Sequence, residues 1–207
     1  MIAIIDYDAG NLKSVEKALQ FLGETAVITR DRDVILSAEK VVLPGVGAFG
    51  DAMDKLHRFG LVNTIYDVVD KKIPFLGICL GLQLMFSGSE ESPGVAGLGL
   101  LKGEIVKIPP VDSLKIPHMG WNQLVKNRED RIADGVADGE YAYFVHSYYA
   151  VPKNWEDVVY YADYSVRVPG VVRRDNVIGM QFHPEKSSDT GMRLLRNFLK
   201  EGEEIAD

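Results

Sequence analysis

Apolar residues along this chain follow two rhythms, and the rhythm changes near the middle. In the first half, short unbroken apolar runs alternate with stretches where apolar residues recur at three and four. The run at 2–5 closes at Asp6, and Gly10 with Asn11 marks a loop. Over 14–22, Val15, Ala18, Leu19 and Leu22 stand at i, i+3, i+4 and i+7, which predicts a helix. Residues 25–28 read as a short strand, and 40–43 as another that ends at Pro44. Residues 49–59 and 61–69 read as helices, the second with Leu61, Ile65, Val68 and Val69 on one face. Residues 74–78 form a third strand of the fully buried type, followed by a helix-like run at 82–86. Strands alternating with helices predict a parallel sheet covered by helices.

The second half is richer in strands. Residues 103–108, 123–125, 141–145, 158–164, 171–174 and 177–182 all read as extended, and 192–200 closes the chain as a helix with Met192, Leu195 and Leu199 inward. The fold expected is α/β: one domain over 1–207, with a central, mainly parallel sheet flanked by helices and an added antiparallel portion. In such open sheets the chemistry lies at the carboxyl ends of the strands. That directs attention to the segments beginning at Pro44, Cys79 and His183.

Composition narrows the function. The 207 residues carry a net charge of −7, so no basic face for nucleic acid is implied. No run approaches the roughly 20 apolar residues of a membrane span. The N-terminus lacks the basic region of a secretory signal, and the single cysteine fits a reducing compartment. A cytoplasmic protein is expected. With no paired cysteines and no H-E-x-x-H, the sequence offers no metal site, and no cofactor is called for.

That single cysteine lies in Gly77-Ile78-Cys79-Leu80-Gly81, after an apolar strand and before a helical run. A lone cysteine is ordinarily a buried structural thiol. The strand, the sharp turn with glycine on both sides and the helix point instead to a nucleophile elbow. A helix N-terminus beside the sulfur favours the thiolate, and the Leu80 N–H can face a developing oxyanion. His183-Pro184-Glu185 supplies a base and a carboxylate. Proline biases His183 toward extended backbone, where residues two apart share a face, and a carboxylate beside an imidazole fixes its tautomer. The alternative is a surface turn with an incidental ion pair. His57 falls on a charged helical face, and His118 and His146 lie in aromatic or apolar strands without a carboxylate two residues away, so they are weaker bases. Gly45-Val46-Gly47-Ala48-Phe49-Gly50 matches the dinucleotide fingerprint G-x-G-x-x-G, but it is internal and no acidic strand end follows at the needed distance. It reads better as a second oxyanion donor, with Gly47 or its neighbour Val46 pairing with Leu80. A plain turn is the other reading.

Together these residues resemble the class I (triad) glutamine amidotransferases. General to that class are the segment from Gly77 to Gln83 and the segment from Gln181 to Ser187. More particular are Asp6-Tyr7-Asp8-Ala9-Gly10-Asn11, Pro44 to Phe49, Pro117-His118-Met119-Gly120-Trp121-Asn122 and Tyr143 to Tyr149. These resemble the branch whose members serve as glutaminase subunits of imidazole glycerol phosphate synthase.

The resemblance implies a flavodoxin-like glutaminase domain and hydrolysis of glutamine to glutamate and ammonia. It implies a heterodimer with a (βα)8-barrel cyclase subunit, which turns the ammonia into imidazole glycerol phosphate and an aminoimidazole carboxamide ribonucleotide. By position it makes Cys79 the nucleophile that forms a thioester, His183 the base and Glu185 its orienter. Gln83, Ser147 and Tyr148 would hold the amino-acid end of the substrate. Gly10, Asn11, Trp121 and Asn122 are candidates for the partner interface, with core packing the competing reading of Trp121. It also implies that the Val46–Gly47 peptide reorients when the partner binds. The alternatives are a glutaminase of another pathway, a cysteine hydrolase or protease of similar fold, and a catalytically dead interaction module.

Overall fold

The computed structural model describes residues 1–202. Its first strand, β1 (Ile2–Ile5), pairs in parallel with β2 (Ala26–Thr29) on one side and with β3 (Lys40–Gly45) on the other. Next to β3 lies β4 (Phe75–Cys79), also parallel, with Gly45 opposite Cys79. β5 (Gly103–Lys107), β6 (His118–Gln123), β7 (Val125–Lys126), β8 (Tyr141–His146), β9 (Tyr148–Pro152), β10 (Val158–Tyr164), β11 (Val166–Arg174) and β12 (Val177–Met180) follow along the chain. The last of these returns to pair in parallel with β4. The eight-stranded sheet has the order β2-β1-β3-β4-β12-β11-β10-β7, and the β11, β10 and β7 side is antiparallel. Two antiparallel ribbons, β5–β9 and β6–β8, stand apart from it.

Alternation of side chains along each strand gives the sheet two cores. Ile2 and Ile4 of β1 face one way, with Val42, Leu76, Ile78 and Met180. They pack against α1 (Leu12–Phe21) and α6 (Ser188–Leu199) through Val15, Leu19, Leu194 and Phe198. Ala3 and Ile5 face the other way, with Val41, Leu43 and Phe75. There they meet α2 (Arg32–Leu36), α3 (Phe49–Arg58), α4 (Leu61–Asp70) and the short α5 (Leu80–Leu84). Strands covered on both faces explain why their sequences are unbroken apolar runs. Among the described residues, no helix is long and apolar enough to cross a membrane.

Several expectations need correction. The helix read at 14–22 starts at Leu12, with Asn11 as a left-handed N-cap at φ 74°. The strand read as ending at Pro44 runs on through Gly45, because Pro44 and Gly45 pair with Ile78 and Cys79. The helical run read at 82–86 starts at Leu80, directly after Cys79. Strand β11 starts at Val166, five residues before its expected start, and carries Pro169 and Gly170 inside it. Strands β6 and β9 and helix α2 were not expected. In the last helix, the buried face is led by Leu194, Leu195 and Phe198, while Met192 is only half-buried.

The C-terminal end is tied down by charge. Arg173 on β11 donates from Nη1 to Asp130 Oδ1 at 2.9 Å and to Glu201 Oε1 at 2.8 Å, and from Nη2 to Glu201 Oε2 at 2.9 Å. Arg131 also pairs with Glu201, and Arg128 with Asp130. Both carboxylates are buried, with side chains 8% and 4% exposed. Burial pushes the Asp130 carboxyl up, yet the Ile132 N–H and the guanidinium groups of Arg173 and Arg128 more than offset it and hold it below its usual range. Removing Arg173 takes away the partner the two carboxylates share, while Arg128 and Arg131 still pair with one each. Arg173→Met is expected to cost about 1.5–3 kcal/mol in urea denaturation, the scale of lost hydrogen bonds to charged groups. A loss under about 1 kcal/mol would class the cluster with exposed surface pairs.

Candidate active site

Three adjacent parallel strands end side by side, and their last residues build the site. β4 ends at Cys79, whose backbone sits at φ 55° and ψ −111°, outside the regions a side chain ordinarily adopts. Such strain costs on the order of 1–3 kcal/mol and persists only where the surroundings impose it. Here the surroundings are tight. A Cβ at Gly81 would collide with the Leu43 carbonyl of β3, and one at Gly77 would lie 2.7 Å from the Gly81 backbone. The two glycines flanking the cysteine therefore let the elbow close onto its neighbouring strand. Tyr7, buried after β1, donates to Pro44 O at 3.0 Å and holds the end of β3 against this turn.

His183 follows β12, which lies on the other side of β4. Its N–H donates to Tyr143 O at 3.0 Å, and its own carbonyl accepts from Ser187 Oγ at 2.6 Å. Pro184 leaves His183 extended, at φ −95° and ψ 98°. Glu185, however, lies in a 3-10 turn over Pro184–Lys186 and not on an extended strand. The turn still brings its Oε1 to 2.9 Å from His183 Nδ1, and both side chains are 2% exposed. Away from Glu185 the ring lines the same cavity as Cys79 and is influenced by it. Burial alone would lower the His183 pKa, but Cys79 and the hydrogen bond to Glu185, backed by their charge, push it up to about 9. Burial raises the Glu185 carboxyl, yet the His183 ring and Asn11 together hold it below its usual range.

A cavity of about 330 Å³ opens beside the sulfur, within the range of small-molecule sites. Val46, Gly47, Cys79, Leu80, Gln83, Ser147, Tyr148 and His183 line it, so every residue the sequence nominated for catalysis, oxyanion contact or substrate faces this space, apart from Glu185 behind the imidazole. Gly47 adopts φ 106°, a conformation open to glycine. Gln83 Nε2 donates to Tyr148 O at 2.9 Å and to Gln181 Oε1 at 3.1 Å. Gln181 Nε2 in turn lies 4.0 Å from the sulfur.

The four interface candidates divide. Trp121 is 53% exposed and packs edge-on to Tyr143, so core packing is not its role. Asn122 turns inward, to His118 Nε2 at 3.2 Å and Asp163 O at 3.1 Å. Asn11 also points inward and donates to Glu185 Oε1 at 2.6 Å. Gly10 is exposed, and a Cβ there would come within 2.9 Å of Val46 Cγ2. Sequence reasoning passed over three features of the site. Glu91 lines the cavity and accepts from the Phe49 N–H at 2.8 Å, which anchors its loop to the start of α3. The contact of Asn11 with Glu185 joins residues 174 apart, and nothing in the sequence signals it. His146, set aside as a base, lines the cavity and is paired with His118.

A raised histidine pKa has a stabilising side. The contribution of the charged ring is complete below the unfolded value of 6.5 and disappears as pH rises through about 9. In NMR titration the His183 ring is expected to show a midpoint near 9. In Cys79→Ala the midpoint falls, because burial then acts without the sulfur. An unmoved midpoint would mean that Cys79 does not interact with the ring.

The model of the family "Glutamine amidotransferase class-I" matches residues 3–201. The chain is 52% identical over 198 residues to the imidazole glycerol phosphate synthase subunit HisH of Bacillus cereus (strain G9842), covering 96% of this chain and 93% of that protein. It is 50% identical over 201 residues to the subunit of the same name from Methanothermobacter thermautotrophicus, covering 97% and 98%. Among solved structures, a glutamine amidotransferase superposes with a TM-score of 0.76 at 19% identity, over 97% of this chain and 98% of that one. PurLQS from Thermotoga maritima superposes with 0.74 at 21%, over 96% and 97%. At such identities these two speak for the fold alone, while the family model and the close relatives reach further: this chain belongs to the class I glutamine amidotransferases.

Proposed function

We propose that this chain is the glutaminase subunit of imidazole glycerol phosphate synthase, a single domain that releases ammonia from glutamine for a cyclase partner in histidine biosynthesis. The observation that carries the chemistry is the strained Cys79 against a His183–Glu185 pair at the edge of a small-molecule cavity. The names of relatives 50–52% identical over nearly the full length support the pathway.

The steps follow from the groups present. His183, charged below about pH 9, already holds the proton of the thiol as Sγ attacks the carboxamide carbon of glutamine. The N–H groups at Leu80 and at the Val46–Gly47 peptide stabilise the oxyanion of the tetrahedral intermediate. His183 returns the proton to the departing nitrogen, ammonia leaves and a thioester remains. His183 then takes a proton from water, the hydroxide attacks the thioester carbon, the C–S bond breaks to release glutamate, and His183 returns the proton to the sulfur. Glu185, held by Asn11, keeps the imidazole in the Nδ1–H tautomer with Nε2 toward the sulfur. The Glu91 carboxylate, which also lines the cavity, pairs with the substrate ammonium, together with Gln83, Ser147 and Tyr148.

Ammonia released into water is protonated and ceases to be a nucleophile, so a docked acceptor is chemically reasonable. The partner in this reading is a (βα)8-barrel cyclase. An outward face carrying Met119, Trp121 and Tyr141 is exposed and supports docking beside the site. Gly10, beside Val46 of the cavity wall, is a contact residue in this reading, whereas Asn11 and Asn122 act from within. The lone thiol supports a cytoplasmic location.

Cys79→Ala is expected to lower glutamine-dependent cyclisation about 10³-fold or more when mixed with the cyclase. Cyclase binding and turnover with added ammonium salts are expected to persist. Glutamine turnover near the wild-type level in this variant would remove Cys79 as nucleophile. Failure of the wild type to support cyclisation, with glutamate still produced, would point to a glutaminase of a different pathway.

A further inference from the structure

The two buried histidines that the proposed reaction leaves unused form a chain with one direction. Asn122 Oδ1 accepts from the Gln123 N–H at 2.8 Å, which fixes the amide so that Nδ2 donates to Asp163 O and to His118 Nε2. His118 Nε2 is then an acceptor, and the ring proton lies on Nδ1. Nδ1 faces His146 Nε2 at 3.0 Å, so His146 accepts there and carries its own proton on Nδ1. That proton is donated to Tyr148 O at 2.8 Å. The same carbonyl receives Gln83 Nε2 at 2.9 Å, and the second N–H of Gln83 goes to Gln181 Oε1 at 3.1 Å. With both N–H groups spent inside, only Gln83 Oε1 remains for the cavity that this residue lines.

Every link fits one pair of tautomers. A proton added to His118 would set an N–H against the Asn122 N–H, and one added to His146 would set two ring N–H groups together. The surroundings agree. His118 is stacked between Phe144, at 4.6 Å between ring centres, and Tyr164, at 3.9 Å. Both rings are buried. Burial pulls the pKa of His118 down to about 4 and, against the Tyr148 carbonyl and with smaller contributions from His118 and His183, that of His146 to about 3.

We infer that His118 and His146 are positioning residues for glutamine binding: as obligate neutral Nδ1–H tautomers they fix the Tyr148 carbonyl, and through it present the oxygen of Gln83, an acceptor, to the substrate ammonium. This rests on the glutaminase reading of the cavity. It goes beyond it by assigning a function to two residues outside the Cys79, His183 and Glu185 set, and by stating the protonation that function requires.

The test uses the full chain in complex with its cyclase. His146→Leu removes the donor to Tyr148 O, and KM for glutamine is expected to rise about tenfold, with kcat changed by about threefold or less. His146→Asn returns an N–H close to the Nδ1 position, and KM is expected back within about threefold of wild type. Equal KM values in wild type and both variants would overturn the assignment, as would equal increases in both or a fall in kcat at constant KM. Should His146→Leu fail to fold, nitrogen-15 NMR of labelled histidine in the wild-type chain at neutral pH decides. Both rings are expected as neutral Nδ1–H forms, and an Nε2–H or charged ring at either position would overturn the chain. Absence of glutamine turnover, and of Cys79 alkylation by a chloroketone glutamine analogue, would instead defeat the glutaminase reading, and the tautomer measurement would still judge the histidines.

Discussion

The lateral pairing of β4 between β3 and β12 is the constraint on which the rest of the molecule depends. It sets Gly45 opposite Cys79 on one flank and carries the chain from Met180 toward His183 on the other. Parallel strands present their carboxyl ends together, and a position between two such ends is where α/β sheets collect their chemistry. The elbow at Cys79 is possible only because two glycines let it press on β3. The energy held in its backbone is supplied by burial across both faces of the sheet.

Around that point the protein keeps histidines in two opposite electrical states. His183 lies against a sulfur and a carboxylate, and its proton is held to about pH 9. His146 lines the same cavity but hydrogen-bonds a carbonyl and another imidazole, and it stays neutral far into acid. Similar burial thus gives opposite results, decided by whether the partner is an anion or a dipole. The contrast suits a site in which one ring moves protons and another must not.

Much of this was visible in the chain itself. The sheet strands from β1 to β4 and the helices α3 and α4 are long enough and periodic enough to show their type. The residues from Gly77 to Gly81 and from His183 to Glu185 announce themselves because the chemistry needs unusual neighbours. What escaped has local causes. Strand β6 holds His118, Gly120 and Asn122 and no β-branched residue, and it is extended only because β8 pairs with it. Pro169 and Gly170 disguise the first half of β11. Helix α2 has five residues, too few for a period, and is held by Asp31 capping Asp33 and Val34. Asn11 was expected at the partner interface and Glu91 was not expected at all; both reach the site through contacts made only on folding. His183 and Glu185 meet as expected, yet across a turn and not along a strand.

The β6–β8 ribbon joins two tasks in one register. Met119 and Trp121 project to solvent across from Val145 and Tyr143, while His118, Gly120 and Asn122 turn inward opposite His146, Phe144 and Ala142. A shift of one residue would exchange the two sets, sending imidazoles outward and an indole into the pocket's support. A single insertion or deletion in these strands must therefore be taken up by a bulge or it exchanges the two faces. The outer surface of the ribbon can diversify freely only by substitution in place, and whatever docks there inherits its alignment from the interior.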